Sequence, residues 1–417
     1  MKILIVSTYD TAGGASRSSY RLHQALLSKD VDSNILVQKK FSSDYTVVEV
    51  DSKIERKFAN VRPFIDYFPI RFYKKRTDTL FSPAYFPFSS VVKKINKINP
   101  DIVHLQWISG GMLKIKDLVK IKAPIVWGLN DMWAFTGGCH YDEYCGRYKE
   151  SCGKCIVLGS AKENDLSRRL LNQKHNVYSK ISNLTIIGHS RWLTNSARES
   201  SVFNNKSVVH IPQTIDINRF KPLDKEFCRN IFNLPKNKKL ILYGAMGPMS
   251  DRRKGFNELS EAIDKLDIED TEIIVLGGGK PKDPPTIKYK VHYLSRLNDE
   301  ITLQMLYSAV DLVIVPSIQE NLSNIILESL SCATPVLAFD IGGNSDMIVH
   351  KHNGYLAKAF DTSDLSFGIE WIVNNQDYNK LCNNARDKMI DEFSYEVVAN
   401  KYIDFYRKLI VDTATSS

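Results

Sequence analysis

Short apolar runs rich in Val, Ile and Leu alternate with amphipathic stretches along most of this 417-residue chain. The runs predict buried strands at residues 3–6, 34–37, 102–105, 125–128, 184–188, 208–211, 240–243, 272–276, 291–294, 312–315 and 335–338. The amphipathic stretches predict helices between them, among others at residues 18–28, 255–266, 300–308 and 325–332. Because parallel strands need crossover connections, the alternation predicts an α/β protein with two doubly wound domains.

A proline-flanked polar stretch at residues 212–222 separates the two series of strands and marks the predicted domain boundary. Near the end of the chain, residues 395–410 have the apolar spacing of an amphipathic helix that packs on a domain surface. Residues 412–417 are expected to fray. The length of the chain agrees with this division, since about 200 residues are enough for each domain to form its own hydrophobic core.

Composition narrows the class of protein. Hydrophobic residues make up 43% of the chain and charged residues 25%, which is ordinary for a globular protein and excludes a mainly disordered, collagenous or coiled-coil one. No apolar run reaches the ~18–20 residues that a membrane span needs, and the apolar core at the start is too short for a signal peptide. We therefore expect a water-soluble protein of the cytosol.

The net charge of +9 is unevenly distributed. Residues 1–210 hold 32 Lys and Arg against 18 Asp and Glu, a net +14, while the remainder holds 24 against 29, a net −5. A basic front half joined to an acidic back half indicates an anionic partner for the front half alone. Nucleic acid, an anionic membrane surface and a phosphorylated ligand are the candidates.

Residues 53–97 fit the alternation poorly, because they interleave eleven basic residues with ten aromatic ones. Such a mixture can lie on an anionic membrane surface, and it can also bind single-stranded nucleic acid by stacking and charge. A third interpretation is a large insertion whose aromatic residues form a core and whose lysines are solvated. The pattern favours the membrane interpretation slightly over the insertion, and nucleic acid least.

The stretch from Val313 to Glu328 carries the clearest chemical pattern. Glu320 and Glu328 would lie ~12 Å apart along one helix, which exceeds the ~5–9.5 Å between glycosidase carboxylates. They could instead hold both ends of an extended polyhydroxylated ligand, with a phosphate bound between them at a helix N-terminus. The N–H groups that would bind it belong to Asn321, Leu322, Ser323 and Asn324. This describes a nucleotide-sugar, and the alternative is two solvent-facing glutamates.

The pair of glutamates followed by Ser331-Cys332-Ala333-Thr334-Pro335-Val336 resembles the signature of family 4 glycosyltransferases, and above all the bacterial transferases of capsule, O-antigen and colanic-acid synthesis. The resemblance spans nearly the whole chain, including residues 101–107, 131–141 and 211–222. It implies the GT-B fold, two Rossmann-like domains that face a central cleft, and a final helix that crosses back to the first domain. The implied domains are residues 1–212 with 395–417 on the acceptor side, and residues 213–394 on the donor side.

The resemblance also implies roles for individual residues. Glu328 matches the glutamate that binds the ribose hydroxyls, Glu320 matches the one that contacts the donor sugar, and Lys254 matches the lysine that neutralises the leaving diphosphate. The family's arginine has no counterpart at residues 245–250, and Arg252 or Arg253 is the substitute on hand. Gly13 and Gly14 resemble the glycine turn that approaches the donor phosphate and the acceptor.

One departure concerns the strand before the Asp-Met-Trp block, where Asn130 occupies the place of a histidine in the family. Asn can bond a sugar hydroxyl but does not titrate near neutrality. Same-face attack in this family needs no enzymic nucleophile, so activity is still expected, with Glu320, Lys254 and Asn130 as the catalytic residues. The acceptor-side candidates are His104, Trp107, Asp131, His140 and His189.

Four of the seven cysteines, Cys139, Cys145, Cys152 and Cys155, fall within 17 residues. Four thiols at this spacing can close a tetrahedral zinc site, and the similar transferases have a related cysteine-rich segment. Structural zinc and reduced, unliganded cysteines are the two interpretations. No catalytic metal is expected, and the absence of a G-x-G-x-x-G or Walker A motif argues against NAD and ATP chemistry.

Together these features predict a retaining glycosyltransferase of bacterial surface polysaccharide synthesis, at the inner face of the plasma membrane. Its donor would be a nucleotide-sugar, UDP-linked rather than GDP-linked, and its acceptor a polyprenyl-diphosphate-linked glycan. The opposite charges of the two halves favour an anionic membrane partner and no nucleic acid. The alternative is a non-catalytic protein of the same fold that binds a nucleotide-sugar or a glycan.

Overall fold

The computed structural model describes residues 1–85, 89–244, 251–280 and 287–415. The chain divides into two compact units, residues 1–214 with 398–417, and residues 215–397. The division lies two or three residues from each predicted boundary. In the described residues, no helix is long and apolar enough to cross a membrane.

Unit 1 contains a seven-stranded parallel sheet with the order β3-β2-β1-β4-β5-β6-β7. Its strands are β1 (Lys2–Tyr9), β2 (Asp32–Lys39), β3 (Val47–Glu49), β4 (Ile102–Leu105), β5 (Ile125–Leu129), β6 (Leu184–Gly188) and β7 (Ser207–His210). Its helices are α1 (Gly14–Leu27), α2 (Lys53–Phe58), α3 (Arg62–Asp66), α4 (Val91–Ile98), α5 (Leu166–Tyr178) and α6 (Arg191–Glu199). Short 3₁₀ helices occupy Phe68–Phe72, Ile115–Lys120, Trp133–Phe135 and Arg147–Lys149.

Unit 2 contains a six-stranded parallel sheet with the order β10-β9-β8-β11-β12-β13. Its strands are β8 (Lys239–Gly244), β9 (Thr271–Leu276), β10 (Val291–Leu294), β11 (Leu312–Val315), β12 (Val336–Phe339) and β13 (Gly354–Ala357). Its helices are α7 (Lys225–Ile231), α8 (Phe256–Lys265), α9 (Glu300–Ala309), α10 (Asn324–Ser331), α11 (Asn344–Met347), α12 (Thr362–Val373) and α13 (Tyr378–Phe393), with a 3₁₀ helix at Arg252–Lys254.

The final helix, α14 (Tyr395–Thr415), packs on the sheet of unit 1. Its residues Val398, Tyr402 and Tyr406 share a buried cluster with Ile3 and Ile5 of β1. The alternate residues of β1, Leu4 and Val6, enter a second cluster on the opposite face. Both faces of the sheet are therefore covered, as a parallel sheet requires. The helix continues through residues 412–415, where the sequence predicted a frayed tail.

The predicted α/β fold of two Rossmann-like sheets, with a last helix that returns to the first, is confirmed by this topology. Each sheet has a point where the strand order reverses, at β1 and β4 in unit 1 and at β8 and β11 in unit 2. Doubly wound sheets bind ligands at the carboxyl ends of the strands beside such a point. The predicted site residues follow these strands.

Candidate active site

Glu320 lies in unit 2 on the loop between β11 and α10, and only 7% of its surface is exposed. Its Oε2 is 2.7 Å from the Lys254 Nζ and 3.5 Å from the Arg253 Nη1. The same Arg253 nitrogen donates to the backbone carbonyl of Gln319 at 3.2 Å. One buried carboxylate thus holds both predicted cations at the switch point of the sheet.

Backbone contacts bring three loops together around Glu320. The Ile318 N–H donates to the Arg253 carbonyl at 2.9 Å. Gly255 adopts a φ of +73°, and a Cβ there would lie 1.7 Å from the Pro316 carbonyl oxygen. A Cβ on Gly342, in the loop after β12, would likewise lie 1.8 Å from the Glu320 carbonyl oxygen. Glycine is needed at both positions because a side chain would separate the loops.

Opposing effects set the ionisation of Glu320. Burial disfavours its charged form, but the nearby charges of Lys254 and Arg253, and the hydrogen bond from Lys254, outweigh burial and lower the pKa of Glu320 to about 2. The carboxylate is therefore ionised at neutral pH. An ammonium group has three N–H donors, so Lys254 keeps capacity for phosphate oxygens beside its bond to Glu320.

Helix α10 begins at Asn324, so only Glu328 of the two glutamates is helical. The ~12 Å that one helix would impose on the pair therefore does not apply. Glu328 is buried, and its Oε2 accepts a hydrogen bond of 2.8 Å from the Tyr307 hydroxyl of α9. The N–H group of Asn321 was expected to be free for an anion, but it donates to Glu320 Oε1 at 3.3 Å. Leu322 and Ser323 complete the loop and are buried beside it.

In unit 1, Asn130 belongs to a neutral hydrogen-bonded chain. Its Nδ2 donates to the Gln106 Oε1 at 2.8 Å, and its Oδ1 accepts from the Gln213 Nε2 at 3.3 Å. The Gln106 Nε2 lies 3.0 Å from the Nε2 of His104, whose Nδ1 meets the Tyr406 hydroxyl of α14. Since the Gln106 amide nitrogen must donate, His104 Nε2 accepts and its Nδ1–H donates to Tyr406.

This chain of hydrogen bonds is uncharged because its one imidazole, that of His104, is neutral. Burial, helped by the proximity of His189, lowers the pKa of His104 to about 3. His189 is also buried and donates from its Nδ1 to the Ile211 carbonyl at 3.2 Å. A Cβ on Gly128 would lie within 3.0 Å of the nitrogens of Gln106, His104 and His189. The absence of a side chain at Gly128 therefore lets these groups converge.

A second polar cluster joins Asp131, His140 and Trp107. The His140 Nδ1 lies 2.6 Å from the Asp131 Oδ2, which also accepts from the Trp107 indole N–H at 3.2 Å. On its other side, the His140 Nε2 lies 2.8 Å from the Ser82 hydroxyl. Buried Lys174 of α5 fixes the adjoining loop through the carbonyls of Trp133 and Thr136. Burial lowers the pKa of Lys174 to about 7.

The glycine turn after β1 lies where the sequence predicts it. Gly13 has a φ of +95°, and α1 begins at Gly14. Apart from its chain neighbours, no heavy atom of the described residues lies within 4 Å of a would-be Cβ on Gly13. At the end of β1, Thr8 donates its N–H to the Trp107 carbonyl at 2.8 Å, so this strand end meets the loop after β4 at the switch point of unit 1.

The four clustered cysteines are free thiols in the structure. Cys139, Cys152 and Cys155 are buried, and burial raises the pKa of each thiol, with a further contribution from the neighbouring thiols. Within the described ranges, no three His, Cys, Asp or Glu side chains are gathered closely enough to hold a metal ion. The geometry gives no support to the zinc site, which stays a prediction.

Partners of the predicted residues that were missed from the sequence include Ser82, Gln106, Gln213, Tyr307 and Tyr406. Gln106 follows β4 directly and stands two residues after His104, so the strand alternation could have placed it on the same face. Tyr406 sits 302 residues from His104 along the chain, and no local pattern links the two. Arg252 was one of two candidates for the family's arginine, but its guanidinium pairs with Glu258 instead.

A protein-family match covers most of unit 2. Residues 238–375 match the family described as Glycosyl transferases group 1. A putative teichuronic acid biosynthesis glycosyltransferase, TuaC, of Bacillus subtilis is 29% identical over 193 residues, which cover 46% of this chain and 47% of that protein. A UDP-Gal:alpha-D-GlcNAc-diphosphoundecaprenol alpha-1,3-galactosyltransferase of Escherichia coli is 22% identical over 214 residues, covering 48% and 54%. The chain thus spans about half the length of the curated relatives it matches.

Solved structures share the fold over the whole chain. Sucrose-phosphate synthase from Thermosynechococcus elongatus superposes with a TM-score of 0.68 at 17% identity, covering 99% of this chain and all of that one. The Anabaena protein Alr3699/HepE in complex with UDP-glucose superposes with a TM-score of 0.62 at 16% identity, covering both chains entirely. These neighbours confirm the predicted GT-B fold, and the matched family confirms the predicted resemblance to glycosyltransferases.

Proposed function

We propose that this chain, which carries a glycosyl transferases group 1 domain, moves a sugar from a nucleotide-sugar to a hydroxyl of a lipid-linked oligosaccharide with retention of configuration. The observation that carries the proposal is the cluster of Lys254, Arg253 and Glu320 at the switch point of unit 2. This cluster lies inside the segment that matches the family.

The chemistry of the donor explains why such a cluster suits it. As the glycosidic bond breaks, negative charge accumulates on the departing nucleoside diphosphate, and fixed cations stabilise that charge. Lys254 and Arg253 are held before the donor arrives, because both pair with the buried Glu320 and Arg253 also pairs with Asp251 at 3.2 Å. The Glu320 carboxylate can then accept hydrogen bonds from the hydroxyls of the sugar.

The nucleoside is assigned to α10. Glu328, whose carboxylate is oriented by Tyr307, would accept hydrogen bonds from the ribose hydroxyls. A UDP-linked donor is favoured over a GDP-linked one, since the structural neighbour from Anabaena is described in complex with UDP-glucose. Asn321, Leu322, Ser323 and Asn324 supply the loop and helix start next to the diphosphate.

The acceptor is assigned to unit 1. The Escherichia coli relative is named for a diphosphoundecaprenol acceptor and the Bacillus subtilis relative for teichuronic acid, which supports a polyprenyl-diphosphate-linked glycan of surface polysaccharide synthesis, of the capsule or lipopolysaccharide type. Trp107, Asp131 and His140 are the acceptor-side candidates that the structure brings together. Such an acceptor implies a peripheral position on the inner face of the plasma membrane, with no nucleic acid partner.

Retention is proposed through attack on the face that the diphosphate leaves. Asn130 cannot take up a proton near neutrality, and its partners Gln106 and Gln213 are neutral amides. The network can therefore orient a hydroxyl but not deprotonate it, and the departing phosphate oxygen is assigned as the proton acceptor. No catalytic metal is part of this proposal.

A panel of nucleotide-sugars screened by thermal shift tests the donor, since a ligand at 100 times its Kd stabilises a protein by ~2.7 kcal/mol. UDP-sugars are expected to raise Tm, and Glu328→Gln is expected to remove most of the increase. Nuclear magnetic resonance of the released product then reports its anomeric configuration. An inverted product would overturn retention, and donor binding without hydrolysis or transfer would favour the non-catalytic alternative.

A further inference from the structure

Exposed apolar side chains are concentrated on one segment of unit 1. Of the 22 large apolar side chains that are exposed in the described residues, nine lie between residues 54 and 85. We call them the aromatic surface: Ile54, Phe58, Val61, Phe64, Ile65, Phe68, Phe72, Leu80 and Tyr85. Concentrated apolar exposure of this kind marks a binding surface in a soluble protein.

The segment has its own core, so this exposure is not a failure to fold. Ile70 and Phe81 are buried with Val157 and Leu158 in a small cluster. The Thr77 N–H donates to the Val157 carbonyl at 2.9 Å. The nine side chains of the aromatic surface lie outside this small core. This result excludes the interpretation in which the aromatic residues of 53–85 are mainly core.

The charges of the segment are sorted by sign. Its basic residues Lys53, Arg56, Lys57, Arg71, Lys74, Lys75 and Arg76 are all exposed. Two of its three acidic residues point inward: Glu55 pairs with buried Arg62 at 2.9 Å, and Asp66 accepts the Tyr85 N–H at 2.5 Å. Only Asp78 is exposed among the acidic residues of 53–85. The exposed charges of residues 53–85 are therefore mainly positive.

A groove of about 720 Å³ is lined by both aromatic and basic side chains. Its aromatic wall contains Phe68, Phe72 and Tyr85, and Lys74, Lys75, Lys162 and Arg169 supply cationic groups along it. Phe68 and Phe72 meet edge to face, with ring centroids 5.5 Å apart and an interplanar angle of 87°. This pair offers no flat stack of rings, so the groove is a poor platform for nucleic acid bases.

We propose that the aromatic surface and its cations dock the protein on an anionic phospholipid bilayer. The exposed rings enter the boundary between headgroups and acyl chains, while the lysines and arginines contact the lipid phosphates. The inference rests on the proposed function in one respect, because a lipid-linked acceptor is presented at such a surface. The binding itself depends only on the observed side chains.

Flotation of the full-length protein with vesicles tests the inference. Binding is expected to vesicles of equal parts phosphatidylglycerol and phosphatidylcholine, and to be lost with phosphatidylcholine alone. Replacing Lys74 and Lys75 by Glu is expected to weaken the partition constant by roughly 30-fold or more, because each basic residue near an anionic surface contributes to binding. Replacing Phe68 and Phe72 by Ala should weaken it by about tenfold or more.

Matched controls separate position from composition. Arg407 and Lys408 are adjacent exposed cations of α14, and replacing both by Glu changes the net charge equally. Phe227 and Ile231 are exposed to a similar extent in unit 2, and their replacement by Ala removes comparable apolar surface. Both control variants should bind vesicles within about threefold of the wild type. Equal losses in test and control variants would overturn the assignment of the surface.

Donor binding distinguishes the two proposals. The aromatic-surface variants should keep the thermal shift that a UDP-sugar produces, since their substitutions lie outside unit 2. Absence of vesicle binding with normal donor binding would overturn only the docking surface, and absence of a donor effect with normal vesicle binding only the proposed function. Two further results would overturn the docking proposal. One is binding of single-stranded oligonucleotides in place of vesicles, and the other is self-association through the aromatic surface, measured by light scattering.

Discussion

The two candidate half-sites hold their polar groups by opposite means. In unit 2, Glu320 is ionised at neutral pH and holds Lys254 and Arg253 by charge. In unit 1, Asn130 is held by a chain of neutral groups through Gln106 and His104. Each arrangement has a buried member, Glu320 in unit 2 and His104 in unit 1, and both lie at the carboxyl ends of strands beside a switch point.

The difference matches what each site would have to do. A buried ion pair can exchange one partner for an incoming anion, because the cations are already desolvated and fixed. A neutral chain has no charge to exchange, but every member directs the next, so it fixes the orientation of the terminal amide. We infer that the half-site of unit 2 acts through the charge of its cations, whereas the half-site of unit 1 acts by orienting Asn130. Substitutions in each half-site test this difference.

The largest expected effect is on the ionic half-site. Lys254→Ala should lower the kcat of sugar transfer by about 10²–10³-fold, because the leaving diphosphate loses a fixed cation. Steady-state kinetics on the full chain measures this. Arg252→Ala is the matched control: it lies in the same 3₁₀ helix, but its exposed guanidinium pairs with Glu258, so kcat should change by less than about threefold. Similar losses in the two variants would contradict the assignment.

The ionic half-site should also make stability depend on acid. The pKa of Glu320 is about 2 in the fold against 4.5 normally, so its ionisation stabilises the protein above pH 4.5, and this contribution is lost as the pH falls toward 2. Between pH 6 and pH 3.5 the wild type should lose about 1–2 kcal/mol relative to Glu320→Gln in the free energy of unfolding. Urea titrations measure this, and a constant difference between the two proteins would refute the prediction.

The neutral chain should show a smaller and purely positional effect. Tyr406→Phe removes the hydroxyl that His104 contacts and should cost about 1 kcal/mol of stability. It should also lower kcat while leaving the KM for the donor unchanged, since the donor contacts lie in unit 2. Tyr402→Phe is the control, because the buried Tyr402 hydroxyl has no partner in the described part of the chain. Its removal should cost nothing in stability or kcat.

If Tyr406→Phe changed KM for the donor and left kcat alone, the chain would not be positioning Asn130 for the transfer step. Gln106→Leu provides a second measurement, because it breaks the chain next to Asn130. Its loss of kcat should exceed that of Tyr406→Phe, and a gain in activity from either substitution would equally contradict a positioning role.

Much of the fold followed from local patterns. Every predicted strand overlaps a strand of the structure, because buried parallel strands are continuous apolar runs. Two short edge strands were missed, β3 with three residues and β13, which starts at Gly354. β3 is too short to mark a strand from sequence, and β13 contains no β-branched residue.

The candidate sites followed only in part. Lys254 and Glu320 were identified from motifs, and the structure joins them directly. The N–H group of Asn321 was expected to be free, yet it is used by Glu320, because the loop folds back on its own carboxylate. The cysteine spacing left structural zinc and unliganded thiols open, because thiol positions in space depend on a loop conformation that spacing does not fix.

The sequence by itself determined the alternation of strands and helices, the place of the motifs at strand ends and the opposite charges of the two halves. These features follow from periodicity and composition, which act locally. Only the tertiary structure decided which groups meet, as when Tyr406 reaches His104 across 302 residues, and which charges face outward, as when Glu55 and Asp66 turn inward. Burial and long-range hydrogen bonding settle both, because a polar group left unpaired in the interior costs more than any local preference provides.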